Sequence, residues 1–225
     1  MADAARLALY PRFIALLCRV GARSIARVHV EGAESLPTSG PLIIAANHMS
    51  NVDPPLIGGW LAPVLRRRPL FLAKEALFVG PMGPFLRTLG AAPVKTGGTD
   101  FGAYRLAKGV LDEGGVVAIL PEGTRSRDGV MSKPKPGVSL LAARTGAPVL
   151  PVGISGTDRL LGPGQKFPAI GSRIILRVGK PFQLTLPSGG DRRETLATAD
   201  EEMMRRIAAL VEPRHRGPWE PWPSE

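Results

Sequence analysis

The chain has 225 residues, 44% hydrophobic and 21% charged, which fits one globular domain with or without a small appendage and excludes intrinsic disorder of the whole. Lys and Arg number 29 against 19 Asp and Glu, a net charge of +10, so phosphate-bearing partners are favoured: nucleic acid, an anionic membrane surface or a phosphorylated small molecule. Only 5% of residues are aromatic and none interleaves with a Lys/Arg stretch, which argues against nucleic acid, while one cysteine (Cys18) and three scattered histidines offer no internal disulfide and no metal framework.

In chain order, residues 1–27 read first as an amphipathic helix. Leu7, Tyr10, Ile14, Leu17, Ile25 and Val28 recur along one face, and Arg12, Arg19, Arg23 and Arg27 cluster on another. Such a helix suits the interface plane of an anionic bilayer or a surface of its own domain, and the segment by itself leaves both open. No run reaches the roughly 18 apolar residues of a transmembrane span. Arg12 and Arg19 bracket the apolar run 13–18 too tightly for a signal peptide.

Strands then alternate with helices. The strands are predicted at Val28–Val30, Leu42–Ala46, Leu70–Ala73, Ala92–Lys95, Val116–Leu120, Pro148–Ile154 and Arg173–Val178. The helices between them are predicted at Pro54–Leu65, Lys74–Leu89 (interrupted by Gly80-Pro81 and Gly83-Pro84), Thr99–Glu113, Gly137–Thr145 and Arg192–Val211. This order predicts one α/β domain over residues 28–212, with a mixed, largely parallel sheet of about seven strands flanked by helices. Several strands are continuously apolar, as when helices cover both faces of a sheet. Residues 213–225 are proline-punctuated and read as an irregular tail, whose Trp219 and Trp222 either dock on the domain or meet a membrane interface.

Two loops carry chemistry. In Ala46-Asn47-His48-Met49-Ser50-Asn51-Val52-Asp53-Pro54-Pro55 an apolar strand ends in a polar loop, and Asp53-Pro54 reads as a helix N-cap followed by proline. His48 then sits at the carboxyl end of a strand, the rim where α/β folds bind ligands. A tight loop can bring Asp53 onto one imidazole nitrogen and leave the other free as a base. Without Asp53 in place, the same residues describe an ordinary loop histidine and an aspartate cap. No Gly-x-Ser-x-Gly elbow surrounds Ser50 and Cys18 lies in the N-terminal helix, so the nucleophile is expected from the substrate, as in group transfer. The second loop follows Val116–Leu120 as Pro121-Glu122-Gly123-Thr124-Arg125-Ser126. Arg125 can grip a phosphate bidentately, Gly123 permits close backbone approach, and Glu122 can accept from a sugar or glycerol hydroxyl; a surface turn with a Glu–Arg ion pair is the bland alternative. Lys133 and Lys135 precede a helix start at Gly137, as a phosphate cradle or a solvated basic loop.

Asn47-His48 with Asp53, then Pro121–Ser126 some seventy residues on, resembles the glycerolipid acyltransferases typified by 1-acyl-glycerol-3-phosphate acyltransferase. Val149-Leu150-Pro151-Val152-Gly153-Ile154 is similar to that family's late Val-Pro-Val-x-Ile strand, and Gly90–Lys95 occupies the place of its second motif. The resemblance runs from about Val28 to Ile154 and more loosely to Pro181. It implies that His48 is the general base on an acceptor hydroxyl, that Asp53 orients it, and that Glu122, Gly123, Thr124 and Arg125 hold the acceptor with help from Lys95, Lys133 and Lys135. The donor it implies is acyl-CoA or acyl carrier protein, with no acyl-enzyme, no metal and no prosthetic group. It implies a lysophospholipid acceptor and phosphatidic acid as product, with glycerol-3-phosphate, another lysophospholipid or a lipid alcohol as alternative acceptors. A non-catalytic lipid binder is a further alternative, although binding alone needs no base and orienter. The family's second motif usually closes with an arginine, and here that place falls on Thr96. An acceptor carrying an acyl chain implies contact with an anionic membrane, through residues 1–27 and Arg66–Arg68, with the protein peripheral or monotopic on the cytoplasmic face.

Overall fold

A computed structural model of the chain describes residues 2–95, 101–184 and 191–221, with side chains from Arg12 onward in the first helix. Seven strands form one sheet: β1 (Ala26–Glu31), β2 (Leu42–Ala46), β3 (Leu70–Lys74), β4 (Ala91–Val94), β5 (Val116–Ile119), β6 (Val149–Ser155) and β7 (Ser172–Val178), in the order β1-β7-β6-β2-β5-β3-β4. From β6 to β4 all neighbours are parallel. β7 runs antiparallel to β6 and carries β1 parallel to itself. The expected mixed, largely parallel sheet is what forms.

Side chains alternate across each strand, so Leu42, Ile44 and Ala46 enter one core while Ile43 and Ala45 enter the other. The first core is covered by α1 (Ala2–Ile25), α2 (Asp53–Leu65) and α3 (Met82–Thr88). The second is covered by α4 (Phe101–Asp112), α5 (Val138–Thr145) and α7 (Arg192–Ala208). Two covered faces explain why β2 and β6 are buried at every position. From β2 the chain passes through α2 on one face to β3, beyond β5. From β5 it passes through α5 on the other face to β6, beyond β2. The carboxyl ends of β2 and β5 therefore flank a point where the winding reverses, the crevice in which open α/β sheets bind ligands.

Several expectations are corrected. The first helix stops at Ile25: Ala26 and Arg27 join the expected strand from Val28 in β1, and all three are held in register by Ser172, Arg173 and Ile174 of β7. The apolar residues of α1 divide between two faces: Ala15 is buried and Ala22 and Ile25 pack on the core, while Phe13, Leu16, Leu17 and Val20 are exposed. Lys74–Leu89 divides, as expected, at Gly80-Pro81, into a 3₁₀ turn, Glu75–Leu77, and α3, but Gly83-Pro84 interrupts nothing: it lies in the first turn of α3, where Pro84 needs no N–H. A five-residue helix, α6 (Thr157–Leu161), follows β6 and was not anticipated. Arg67 is not available to a membrane: its guanidinium donates to the carbonyls of Gly40, Gly114 and Pro37, and Arg68 donates to that of Arg87. Burial pushes the Arg67 guanidinium down from its ordinary value. Among the described residues no helix is long and apolar enough to cross a membrane.

Candidate active site

The His48 loop is built on Asp53. Pro54 and Pro55 have no N–H, so the start of α2 has fewer orphan donors to satisfy, and no side-chain cap bond forms there. The Asp53 carboxylate turns back instead. Its Oδ2 accepts from the Met49 amide at 2.7 Å, the Ser50 amide at 2.7 Å and His48 Nδ1 at 2.9 Å. Asp53 is an orienter of the loop rather than the expected N-cap. A carboxylate acceptor makes His48 Nδ1 the protonated nitrogen and leaves Nε2 with its lone pair. The Asp53 side chain is fully buried while that of His48 keeps 16% of its surface exposed, so the ring is held from behind and open in front.

Two flanking residues complete the support. The Asn47 side chain donates to the Ile154 carbonyl at 2.8 Å and accepts from the Ile154 amide at 2.7 Å. It thus adds a rung between the ends of β2 and β6. Ser50 Oγ donates to the Leu161 carbonyl at 2.6 Å, tying the loop to α6. Sequence reasoning gave neither residue a role. Asn47 lies beside His48 in the motif, but its partner is 107 residues away.

The second loop joins the first through backbone and carboxylate. The Ser126 amide donates to the His48 carbonyl at 2.8 Å. Glu122 Oε1 accepts from the His48 amide at 2.8 Å, and Oε2 accepts from the Ser132 amide at 2.8 Å and its hydroxyl at 2.9 Å. Burial pushes the Glu122 carboxyl up, against the pull of these hydrogen bonds and of His48. Glu122 is 2% exposed, so its two oxygens face protein donors, not a substrate hydroxyl. The expected acceptor role gives way to a strut between the two loops.

Gly123 and Thr124 are exposed at the tip of the loop. Gly123 has φ 64°, and a Cβ there would lie 2.7 Å from Lys135 Cδ. The missing side chain is what lets Lys135 lie across the motif, its amide anchored to the Pro121 carbonyl at 2.8 Å. Arg125 is half-buried, Lys133 and Lys135 are exposed, and none of the three pairs with a carboxylate among the described residues. Lys95 stands apart: it follows β4, the outer strand on that side, two strands or about 10 Å from β5. Thr96 and Trp222 lie outside the described residues.

A model of the acyltransferase family, described simply as "Acyltransferase", matches residues 27–155, the span that contains both loops and β6. The chain belongs to the acyltransferase family. Its fold is similar to the crystal structure of the 1-acyl-sn-glycerophosphate acyltransferase PlsC from Thermotoga maritima, with a TM-score of 0.73 and 32% identity over 90% of this chain and 80% of that one. A 1-acyl-sn-glycerol-3-phosphate acyltransferase of Bacillus subtilis is 29% identical over 188 residues, 81% of this chain and 87% of that one. The chloroplastic enzyme of that name from Arabidopsis thaliana is 31% identical over 144 residues, 62% of this chain but 39% of the relative. The chain thus spans about two fifths of the plant relatives it matches.

Proposed function

We propose that this acyltransferase-family chain transfers a fatty acyl group from an acyl thioester, acyl-CoA or acyl carrier protein, to the hydroxyl of 1-acyl-glycerol-3-phosphate, giving phosphatidic acid. The observation that carries the reading is the His48–Asp53 contact, 2.9 Å from Nδ1 to Oδ2, with Nε2 left open beside a loop of unpaired cations. In this mechanism Nε2 takes the acceptor's hydroxyl proton as the oxygen attacks the thioester carbonyl. The tetrahedral intermediate collapses with cleavage of the C–S bond, and the imidazolium returns the proton to the departing thiolate. Asp53 fixes the tautomer and stabilises the transient positive charge. No group of the protein becomes acylated.

Arg125, Lys133 and Lys135 hold the acceptor phosphate, Arg125 with its planar fork and the lysines as point charges. Gly123 and Thr124 give the phosphate room at the loop tip, and Lys95 adds charge from the edge of the same rim. Glu122 acts through His48 and Ser132. The exposed Phe13, Leu16, Leu17 and Val20 lie at i, i+3, i+4 and i+7 on α1, a stripe suited to an anionic membrane surface. The protein then works as a peripheral or monotopic enzyme on the cytoplasmic face, where its lipid acceptor resides.

Thr96 in place of the family's usual arginine makes the acceptor the sharpest point to test. Thiol release is followed with purified protein and anionic liposomes, from acyl-CoA and from acyl carrier protein. Lysophosphatidic acid, glycerol-3-phosphate and neutral lysolipids are offered in parallel. The reading predicts turnover that requires lysophosphatidic acid. Turnover with a different acceptor alone would reassign the substrate, and turnover with water alone would make the protein a thioesterase.

A further inference from the structure

The segment beyond the family match closes back on the site. Residues 213–215 form a 3₁₀ turn, not an irregular run, and His215 is fully buried. Its Nδ1 donates to the Gly129 carbonyl at 2.5 Å, and its own carbonyl accepts from the Met131 amide at 2.8 Å. Trp219 Nε1 donates to the Ser132 carbonyl at 3.3 Å. Gly217 has φ 60°, and a Cβ there would lie 2.7 Å from the Met131 carbonyl oxygen, so tail and loop touch backbone to backbone. On the far side, Arg214 holds both oxygens of Asp158 in α6, at 2.8 and 3.4 Å, and the Glu212 amide donates to Ser155 Oγ at 3.0 Å.

Residues 121–137 contain no helix or strand, so their shape depends on bonds from outside. The tail grips the backbone at 129, 131 and 132 irrespective of the loop's side chains. Ser132 in turn supplies two of the three donors to Glu122, and Glu122 holds the His48 amide. A continuous line of contacts therefore runs from His215 and Trp219 through Ser132 and Glu122 to His48. The same loop carries Arg125 and Lys133.

We propose that residues 212–219 are a latch on the acceptor-binding loop, with His215 and Trp219 as positioning residues for acyl transfer. The proposal rests on the reading of the loop given under the proposed function. Neither residue touches substrate. Each fixes a backbone carbonyl of the loop, so loss of its donor shifts the phosphate-holding side chains and slackens Glu122 while leaving the thioester side of the site alone.

Three variants of the full chain test this. Trp219→Phe removes only the indole N–H. His215→Ala removes ring and donor, and His215→Asn restores a donor towards the Gly129 carbonyl. One neutral hydrogen bond corresponds to roughly a threefold to tenfold effect. Trp219→Phe should lower kcat/KM for the acceptor by about that factor with the thioester KM unchanged, and His215→Ala should lower it by more than about tenfold. His215→Asn should recover most of that loss. Hydrogen exchange at the Met131, Ser132 and His48 amides should quicken in Trp219→Phe and His215→Ala and return towards wild type in His215→Asn. Exchange needs no turnover, so it judges the latch even if the proposed reaction fails. Unchanged exchange at these three amides in Trp219→Phe and in folded His215→Ala would overturn the latch. Equal rises in the acceptor and thioester KM, or no recovery in His215→Asn, would overturn the positioning role.

Discussion

Arg19 of α1 donates from Nε to the carbonyl oxygen of Gly59 in α2 at 2.7 Å. That carbonyl lacks its usual helical donor, because the residue four positions on is Pro63. The guanidinium fills the gap, and burial first, then the neighbouring charge of Arg23, pushes it down from its ordinary value. Gly59 also allows close approach: a Cβ there would come within 3.0 Å of Cys18 Cβ. The exposed apolar stripe of α1 is thus stitched to the helix that begins at Asp53.

Two substitutions probe this seam. Gly59→Ala sets a Cβ 3.0 Å from Cys18 Cβ, which is fixed to the α1 backbone; overpacking of about 1–3 kcal/mol then outweighs the roughly 0.5–1 kcal/mol that alanine gains in a helix interior, and a lower denaturation midpoint is expected. Arg19→Ala should leave the Gly59 carbonyl unpaired and speed proteolysis within residues 12–25, with a smaller loss of global stability. Unchanged protease sensitivity in Arg19→Ala would mean that the stitch does not hold α1.

Asp53→Asn keeps an oxygen for the Met49 and Ser50 amides but removes the charge that selects the His48 tautomer. We expect kcat to fall by about two to four orders of magnitude with modest change in KM. A variant retaining a tenth or more of wild-type kcat would deny Asp53 its orienting role.

Much of this was legible in the sequence, and the limits have physical causes. β2, β5 and β6 stood out because strands covered on both faces are apolar throughout, and the polar loops at their ends marked the rim. Asn47 and Ser132 were opaque, since each matters through a partner that only the fold brings near. For α1, periodicity showed apolar positions at helical spacing but not that Ala15, Ala22 and Ile25 face inward while Phe13, Leu16, Leu17 and Val20 face out. For the tail, the prolines point rightly to chain without helix or strand beyond the turn at 213–215 among the described residues, but the backbone bonds that dock His215 leave no compositional trace.

Gly123→Ala places a Cβ against the Lys135 side chain at a left-handed φ of 64°. About 1 kcal/mol of backbone strain is expected, together with displacement of Lys135 from the loop tip. Initial-rate kinetics should show a rise in KM for phosphorylated acceptors larger than any change in thioester KM. Equal changes in both would contradict the phosphate role of Lys135.

A stability prediction comes from the far side of the sheet. Asp200 of α7 is buried and accepts from Ser139 Oγ of α5 at 2.5 Å. Burial pushes its carboxyl up, against hydrogen bonds from the Ser139 hydroxyl and amide. The folded protein therefore binds this proton more tightly than the unfolded chain does. The resulting stability is complete below the unfolded value of about 3.9 and is lost as pH rises through the folded value. Asp200→Asn removes that loss while keeping an acceptor for Ser139. Its midpoint should gain on wild type as pH rises from about 3.5 and level off once pH has passed the folded value. A difference independent of pH would contradict this assignment.

The central claim is that His48 Nε2 removes the acceptor's proton. Its most direct test is acceptor-dependent thiol release by His48→Ala, whose fold is verified by an unchanged thermal midpoint, beside wild type at saturating acyl thioester and lysophosphatidic acid. The account predicts wild-type turnover and loss of at least about 10³-fold in the variant, with thioester binding retained. Turnover by His48→Ala within tenfold of wild type would contradict it and move the base elsewhere in the site.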